Sequence, residues 1–380
     1  QARNAVPGEG YYKSYKTNGY DYFDVRGGIT WHAGKYMDFQ LGYDKFFIGD
    51  GFRSLFLSDN SAPFYFLKFS VHAGRIQYTA VGAQTIAPFY NYTSDSTRPR
   101  NYMMFHYLNW QATNWLKIGL YENTMYNSKI NGGLQVSYLN PSIFNRSQSQ
   151  AAGNSAKSSI GLDAKANFAK HFVVYGQWLI NEFHTDKVLK FGDGYWVNKF
   201  GFQLGGKYID AFTVKNLDLQ LEGNVVRTFT YTDKWTQDNF THYNQALADP
   251  IGANFKELDA IATYQPIPKL YLTAKLIIYK KGLDTTAAFA TAVASPNHGG
   301  DLFRNYNDMR SYESGYTIGN GIADKVALGS LTASYEVIQN LFVDANFTYR
   351  KNSIETMPTT SAKMFMIGLR WNMARREFNF

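Results

Sequence analysis

The chain has 380 residues, enough for two or three soluble domains or one large β-architecture. Aromatic residues make up 17% and glycine occupies 32 positions, while only 18% of residues are charged, below the roughly 25% usual for soluble globular chains. Cysteine is absent, which excludes disulfide scaffolds, thiolate metal sites and thiol nucleophiles, and no run of about 18 apolar residues exists to cross a membrane as a helix. What survives is a tyrosine- and glycine-rich β-protein. No targeting segment opens the chain at Gln1, as expected of a processed, mature protein.

Period-two alternation dominates from one end to the other, in segments of about 10–13 residues. In chain order they start near residues 20, 36, 64, 74, 100, 115, 158, 171, 198, 215, 255, 269, 325, 341 and 361. Leu217, Leu219, Leu221 and Val225 face one way against Asp218, Gln220, Glu222 and Asn224. Leu341, Val343, Ala345 and Phe347 likewise oppose Asp344, Asn346 and Thr348. Such segments are strands with one apolar and one wet face. An even strand number needs one more strand before Tyr20, and residues 10–17, with Tyr11, Tyr12 and Tyr15, are the candidate.

The connections alternate short and long. Tight ones fall near residues 32–35, 73–74, 112–114, 169–170, 210–213, 265–268 and 338–340. Long ones span 49–63, 86–99, 127–157, 184–197, 233–254, 282–324 and 351–360. An antiparallel up-and-down barrel in a bacterial outer membrane has this asymmetry, with tight periplasmic turns and long extracellular loops. The expectation is therefore an all-β transmembrane barrel of about 14–16 strands, one domain over residues 1–380, with large outer loops at 127–157, 233–254 and 282–324. Trp110 and Trp115, Tyr264 and Tyr271, and Trp31 and Phe39 bracket three tight turns as an interfacial girdle would. The chain closes on an amphipathic strand and Phe380, a pattern that resembles the assembly signal of such barrels.

Chemistry-bearing patterns are sparse. The 7 histidines show no metal-ligand spacing, and His184-Thr185-Asp186 reads as solvated loop. No catalytic residue, cofactor site or metal site is expected, and nothing points to nucleic acid. The wet strand faces are the chemical surface, with Asp24, Arg26, Asp38, Asp44, Glu222, Lys275, Asp344, Arg350 and Arg370 expected to line the lumen. They serve equally a salt-bridged plug or an aqueous pore. The segment Ile48-Gly49-Asp50-Gly51-Phe52-Arg53-Ser54-Leu55-Phe56-Leu57-Ser58-Asp59 runs from a strand into a loop without losing apolar character. Gly49 and Gly51 permit a tight bend, and Leu55, Phe56 and Leu57 are too apolar for a solvated loop. They are expected to fold inward as a latch, with Arg53 and Asp59 paired or bonded to buried backbone, or with Arg53 satisfied by a lumen carboxylate.

This segment, followed by Pro63-Phe64-Tyr65-Phe66-Leu67-Lys68, His106-Tyr107-Leu108 and Tyr138-Leu139-Asn140-Pro141, resembles the capsule-assembly Wzi-like outer-membrane family. The likeness is densest over residues 6–183 and looks closest to the Bacteroidota branch that includes gliding-motility-associated barrels. It implies a non-enzymatic surface barrel of up to about 18 strands in a full-length member. It also implies anchoring or binding of surface polysaccharide, with outer-membrane lipid, lipopolysaccharide and other outer-membrane proteins as partners. Three functions stay open: a glycan-binding anchor, an accessory subunit of a secretion, motility or barrel-assembly complex, and a passive diffusion porin. For the first, Tyr195, Trp196, Trp235, Tyr243, Tyr306, Tyr312 and Tyr316 supply rings on the long loops for sugar stacking.

Overall fold

The computed structural model describes residues 5–16, 19–89, 98–127, 157–182, 193–284, 295–373 and 375. Alternating sequence becomes alternating wall. The strands in chain order are β1 (Tyr12–Tyr15), β2 (Gly19–Tyr22), β3 (Gly27–Ala33), β4 (Met37–Asp44), β5 (Phe64–Ala73), β6 (Ile76–Ile86), β7 (Arg100–Gln111) and β8 (Leu116–Asn127). There follow β9 (Lys157–Phe168), β10 (Phe172–Glu182), β11 (Lys199–Tyr208), β12 (Leu217–Val226), β13 (Thr241–His242) and β14 (Gln245–Ala246). The last are β15 (Phe255–Ile267), β16 (Leu270–Leu283), β17 (Ile322–Ile338), β18 (Leu341–Ile354) and β19 (Thr360–Trp371).

Fifteen of these form one antiparallel meander from β3 to β19, each strand bonded to the next wall strand in sequence. The short hairpin β13–β14 lies apart, inside a long loop. Neighbours in sequence are neighbours in space because each tight connection returns the chain beside itself. The expected extra wall strand is a correction. Tyr12–Tyr15 pairs with Gly19–Tyr22 in a separate hairpin, and the wall begins only at Gly27. Gly19 and Tyr15 are close enough in sequence to satisfy each other's backbone locally, so this stretch never reaches the sheet. No pairing joins β3 to β19 among the described residues.

Side chains sort by face. Leu204, Leu221, Leu258, Leu276, Leu331, Phe365, Ile367 and Leu369 point outward and are exposed, an apolar coat for hydrocarbon. The outward face of β7 and β8 departs from this, since His106 and Glu122 stand opposite each other and are buried, with Tyr78 Oη 2.5 Å from His106 Nδ1. The aromatic brackets are only partly a girdle. Trp31 and Phe39 stack outward with centroids 5.5 Å apart, but the pairing turns Tyr271 into the lumen, near Phe342.

The apolar core lies inside the wall, not outside it. It gathers Leu55, Phe56, Leu57, Phe64, Val81, Phe105, Tyr121 and Leu179 with Tyr231, Phe240, Leu247, Ile251 and Phe255. Residues from the connections at 45–63 and 227–254 supply much of it, so these connections fill the long-loop half of the lumen.

Candidate functional site

Three register rows on the inner wall build the site. The row nearest the long loops is apolar and small: Tyr121, Gly161, Leu179, Gly201, Val226 and Phe255 stand side by side. Two residues further toward the short turns comes a polar row of Gly119, Asp163, Gln177, Gln203, Asn224 and Glu257. Two further again, the row reads Lys117, Lys165, Tyr175, Gly205, Glu222 and Asp259. A strand's period of two aligns like with like across neighbours only if register is fixed.

Residues 48–57 lie across all three rows. The inturned backbone leaves β4, and its amides need partners once water is excluded. Glu222 accepts from the Phe52 and Arg53 amides at 2.7 and 2.9 Å, and from the Tyr175 hydroxyl at 2.7 Å. Gln177 accepts from Leu55 N and donates to Ile48 O, while Gln203 donates to Arg53 O. Ser54 Oγ donates to Ile48 O, and an Ile48–Leu57 bridge closes the loop on itself. Two glycines of the segment are required here. Gly49 sits at φ 148°, and a Cβ on Gly51 would collide with Glu222.

The apolar part seats in the first row. Leu55, Phe56 and Leu57 have no exposed surface. Phe56 stacks on Tyr121 with centroids 4.8 Å apart and planes within 4°, and its ring occupies the space a Cβ at Gly161 would need. Tyr231 from the 227–254 connection donates to Leu55 O at 2.8 Å, which ties the two inturned segments together. His242 clamps the same connection: Ile86 N donates to Nδ1 and Nε2 lies 3.1 Å from Pro63 O. Burial pushes the His242 pKa down to about 4, so the ring is neutral.

Charge is concentrated at Arg53. Its Nε and Nη2 donate to Glu257 Oε1 at 3.2 and 3.1 Å, and Asp249 lies 3.9 Å away. Burial works against the guanidinium charge, but Glu257, Asp249 and Asp259 outweigh it and hold the arginine protonated. Asp249 is pushed well above the usual carboxylate range by burial and by Glu257. Of the partners expected for Arg53, the lumen carboxylate is the one found and Asp59 is not used. Arg53 reaches the carboxylates of the far wall, whereas Asp59 sits exposed where the segment turns back. Asp50 is bracketed by Lys117 and by Lys165, the latter at 3.1 Å.

The other expected lumen residues divide. Asp38, Asp44, Glu222, Lys275, Asp344, Arg350 and Arg370 lie on inward register positions. Lys275 sits over the Phe52 ring at 5.2 Å, and Arg370 pairs with Asp344 at 2.8 Å. Asp24 and Arg26 precede β3 and pair with each other at 2.9 Å, so they are not part of the wall. In the short-turn half, Asp218, Thr263, Tyr271, Ser334 and Arg370 line a recess of about 680 Å³. Gln177, Gln203, Glu257, Lys117 and Lys165, which hold the segment, are not singled out by sequence; the strand glycines Gly161 and Gly205 are the available signal, each making room for a ring.

With this geometry established, the chain can be set beside solved structures. It is similar to Wzi of Escherichia coli, an outer-membrane protein of group 1 capsule assembly described as a carbohydrate-binding β-barrel, at TM-score 0.63 and 12% identity, covering 94% of this chain and 71% of that one. It also aligns with the Pseudomonas aeruginosa protein OprD at TM-score 0.44 and 12% identity, over 87% of this chain and 78% of that one. No family model and no curated sequence matches. The fold is that of outer-membrane β-barrels, and with its apolar outer coat it places the chain in the bacterial outer membrane.

The loop aromatics expected to stack on sugar split in two. Trp196 and Tyr316 are buried, and Arg310 covers the Trp196 ring at 3.7 Å. Trp235 and Tyr312 stay open, at 46% and 65% exposure, beside half-buried Tyr195 and Tyr306. The Tyr-Leu-Asn-Pro stretch at 138–141 and most of the 127–157 connection lie outside the described residues.

Proposed function

We propose that this chain is a stoppered, non-enzymatic outer-membrane barrel that anchors surface polysaccharide through its long-loop end, which faces outside. The carrying observation is the inturned segment. A passive pore needs a continuous aqueous path, whereas Leu55–Leu57 and the 227–254 connection fill the lumen where a porin is open. Residues 49–57 then act as a latch. Exposed Trp235 and Tyr312 offer ring faces, the chemistry that holds a sugar's C–H face. The Wzi fold likeness, whose namesake binds carbohydrate, and the Ile48–Leu55 and Tyr138–Pro141 stretches support membership of the Wzi-like family, here read as its Bacteroidota branch. Lipopolysaccharide would surround the coat.

The β3 and β19 edges, unpaired with each other among the described residues, favour a second reading, docking to another outer-membrane protein in a secretion, motility or barrel-assembly complex. The test is affinity of the detergent-solubilised full chain for extracted surface polysaccharide. Trp235→Ala with Tyr312→Ala should weaken it by about tenfold or more, given about 1–2 kcal/mol per stacked ring. Unaltered binding, or large steady conductance of the wild type in planar bilayers, would sink the anchoring reading.

A further inference from the structure

Lys117 and Lys165 stand directly opposite each other on β8 and β9. Like charges in that position repel and destabilise a sheet. Yet both ammonium groups aim at one point, where they meet the two oxygens of Asp50. A second carboxylate stands beside them. Asp163 lies 4.0 Å from Lys117 and accepts from Tyr107 at 3.1 Å. Lys207, on the same inner wall, adds a third cation and lies over the Tyr175 ring. Gly119 leaves the room that Asp163 occupies, since a Cβ there would strike its carboxylate. The lysines keep contact with water, with side chains 17% and 33% exposed. Asp50 itself belongs to the inturned segment and not to the wall.

We propose that Lys117 and Lys165 form an anion-binding cradle in the lumen, for which the Asp50 carboxylate is an internal occupant and a carboxylate- or phosphate-bearing ligand is the external one. The site lies at the foot of the inturned segment, on the side of the short-turn recess, and is independent of what the long loops bind. Burial opposes the Asp50 charge, and the two lysines outweigh it, keeping the group ionised and bound. A ligand must therefore displace a tethered competitor. Such a competitor lowers apparent affinity by the fraction of time the cradle is free. Binding of the ligand in turn releases the foot of the segment, where Phe52 and Arg53 hang on Glu222.

Two measurements on the full chain in detergent micelles test this. In the first, calorimetric titration uses inorganic phosphate and an oligogalacturonate as separate probes. Asp50→Asn should bind at least one of them about tenfold or more tightly than the wild type, because the competitor is gone. Adding Lys117→Gln and Lys165→Gln to that variant should abolish the gain. A response to phosphate alone or to the uronate alone assigns the source of the anion. Equal affinity of wild type and Asp50→Asn for both probes, or a gain that survives loss of both lysines, overturns the cradle. The second measurement needs no variant. Whichever probe binds should speed amide exchange at Phe52 and Arg53 in the wild type relative to chloride at equal ionic strength. Unchanged exchange at saturating probe overturns the displacement.

Discussion

The two halves of the lumen are made from the same alternating strands, yet they differ in what the alternation faces. At the long-loop end, inward positions meet a second layer of protein: Tyr121 meets Phe56, Gln177 meets Ile48 and Leu55, and Glu257 meets Arg53. At the short-turn end, Asp218, Thr263, Ser334 and Arg370 face an open recess. A polar side chain buried without a partner costs more than its bond returns in water. The filled half must therefore be satisfied almost group by group, while the open half need not be. The contrast teaches that rigidity in this barrel is set by its connections, and four predictions test it in descending order of expected effect.

Arg53→Ala should do the most damage. It leaves Glu257 and Asp249 buried around a vanished cation, and removing one partner of a buried pair costs about 3–5 kcal/mol. The loss should appear as amide exchange at Leu55–Leu57 rising toward that of an open loop, with the β15–β18 wall still protected. Loss of protection in the wall as well would mean that the segment is a structural keystone of the whole barrel and the two halves are not separable.

Phe56→Ala comes next, at about 3 kcal/mol for a fully buried ring whose cavity, walled by Gly161 and Tyr121, has little to collapse into. The same exchange experiment reads it. Gly161→Val offers an independent route to the same result, because its side chain claims the space of the ring without touching the segment's own sequence.

How much of this was legible beforehand follows from the same contrast. Fourteen of the wall segments were visible as alternation because each strand writes its own two faces. The inward turn of Leu55–Leu57 was an expectation from three apolar neighbours in a loop, and the geometry now sets them against the first row. What the alternation cannot carry is register. Gln177, Gln203, Asn224 and Glu257 are ordinary wet-face residues in isolation, and only pairing between β10, β11, β12 and β15 sets them in one row. For Arg53 the sequence leaves Asp59, the backbone and a lumen carboxylate all open, because a chain that crosses a lumen can find its partner 204 residues away. The residues 10–17 failed as a wall strand for the converse reason, since a nearby partner, β2, was available first.

The third prediction concerns pH and the 227–254 connection. Asp238, buried and accepting from Asn127 at 2.9 and 3.0 Å, has its pKa pushed up to about 7 by burial. Its folded value exceeds its unfolded one, so its contribution is full below about pH 3.8 and is lost as pH rises to about 7. His242 has the opposite sign, since its contribution is full above about pH 6.5 and is lost as pH falls to about 4. The two slopes oppose each other over the overlap. Asp238→Asn should remove one of them, so the stability of wild type minus variant falls with rising pH between about 4 and 7, by at most about 1.4 kcal/mol per unit. Exchange protection of Thr241–Ala246, compared between the two proteins at each pH, checks the sign; a difference that grows with pH would reverse the assignment.

Arg370→Gln should do least, and that is what makes it informative. The Arg370–Asp344 pair has better geometry than Arg53–Asp249, with Nε 2.8 Å from Oδ2 and a second donation at 3.3 Å. It also stacks its guanidinium over Phe342 at 4.2 Å. Judged by contacts alone it would rank beside Arg53. But its two side chains are 19% and 18% exposed beside the open recess, where solvent screens the pair and takes over the freed carboxylate. The expected cost is within about 1 kcal/mol, shrinking further at high salt. Urea unfolding of the reconstituted protein at low and high salt measures it. A loss as large as that of Arg53→Ala would show that the short-turn half is as tightly held as the stoppered half, and that burial is not what separates them.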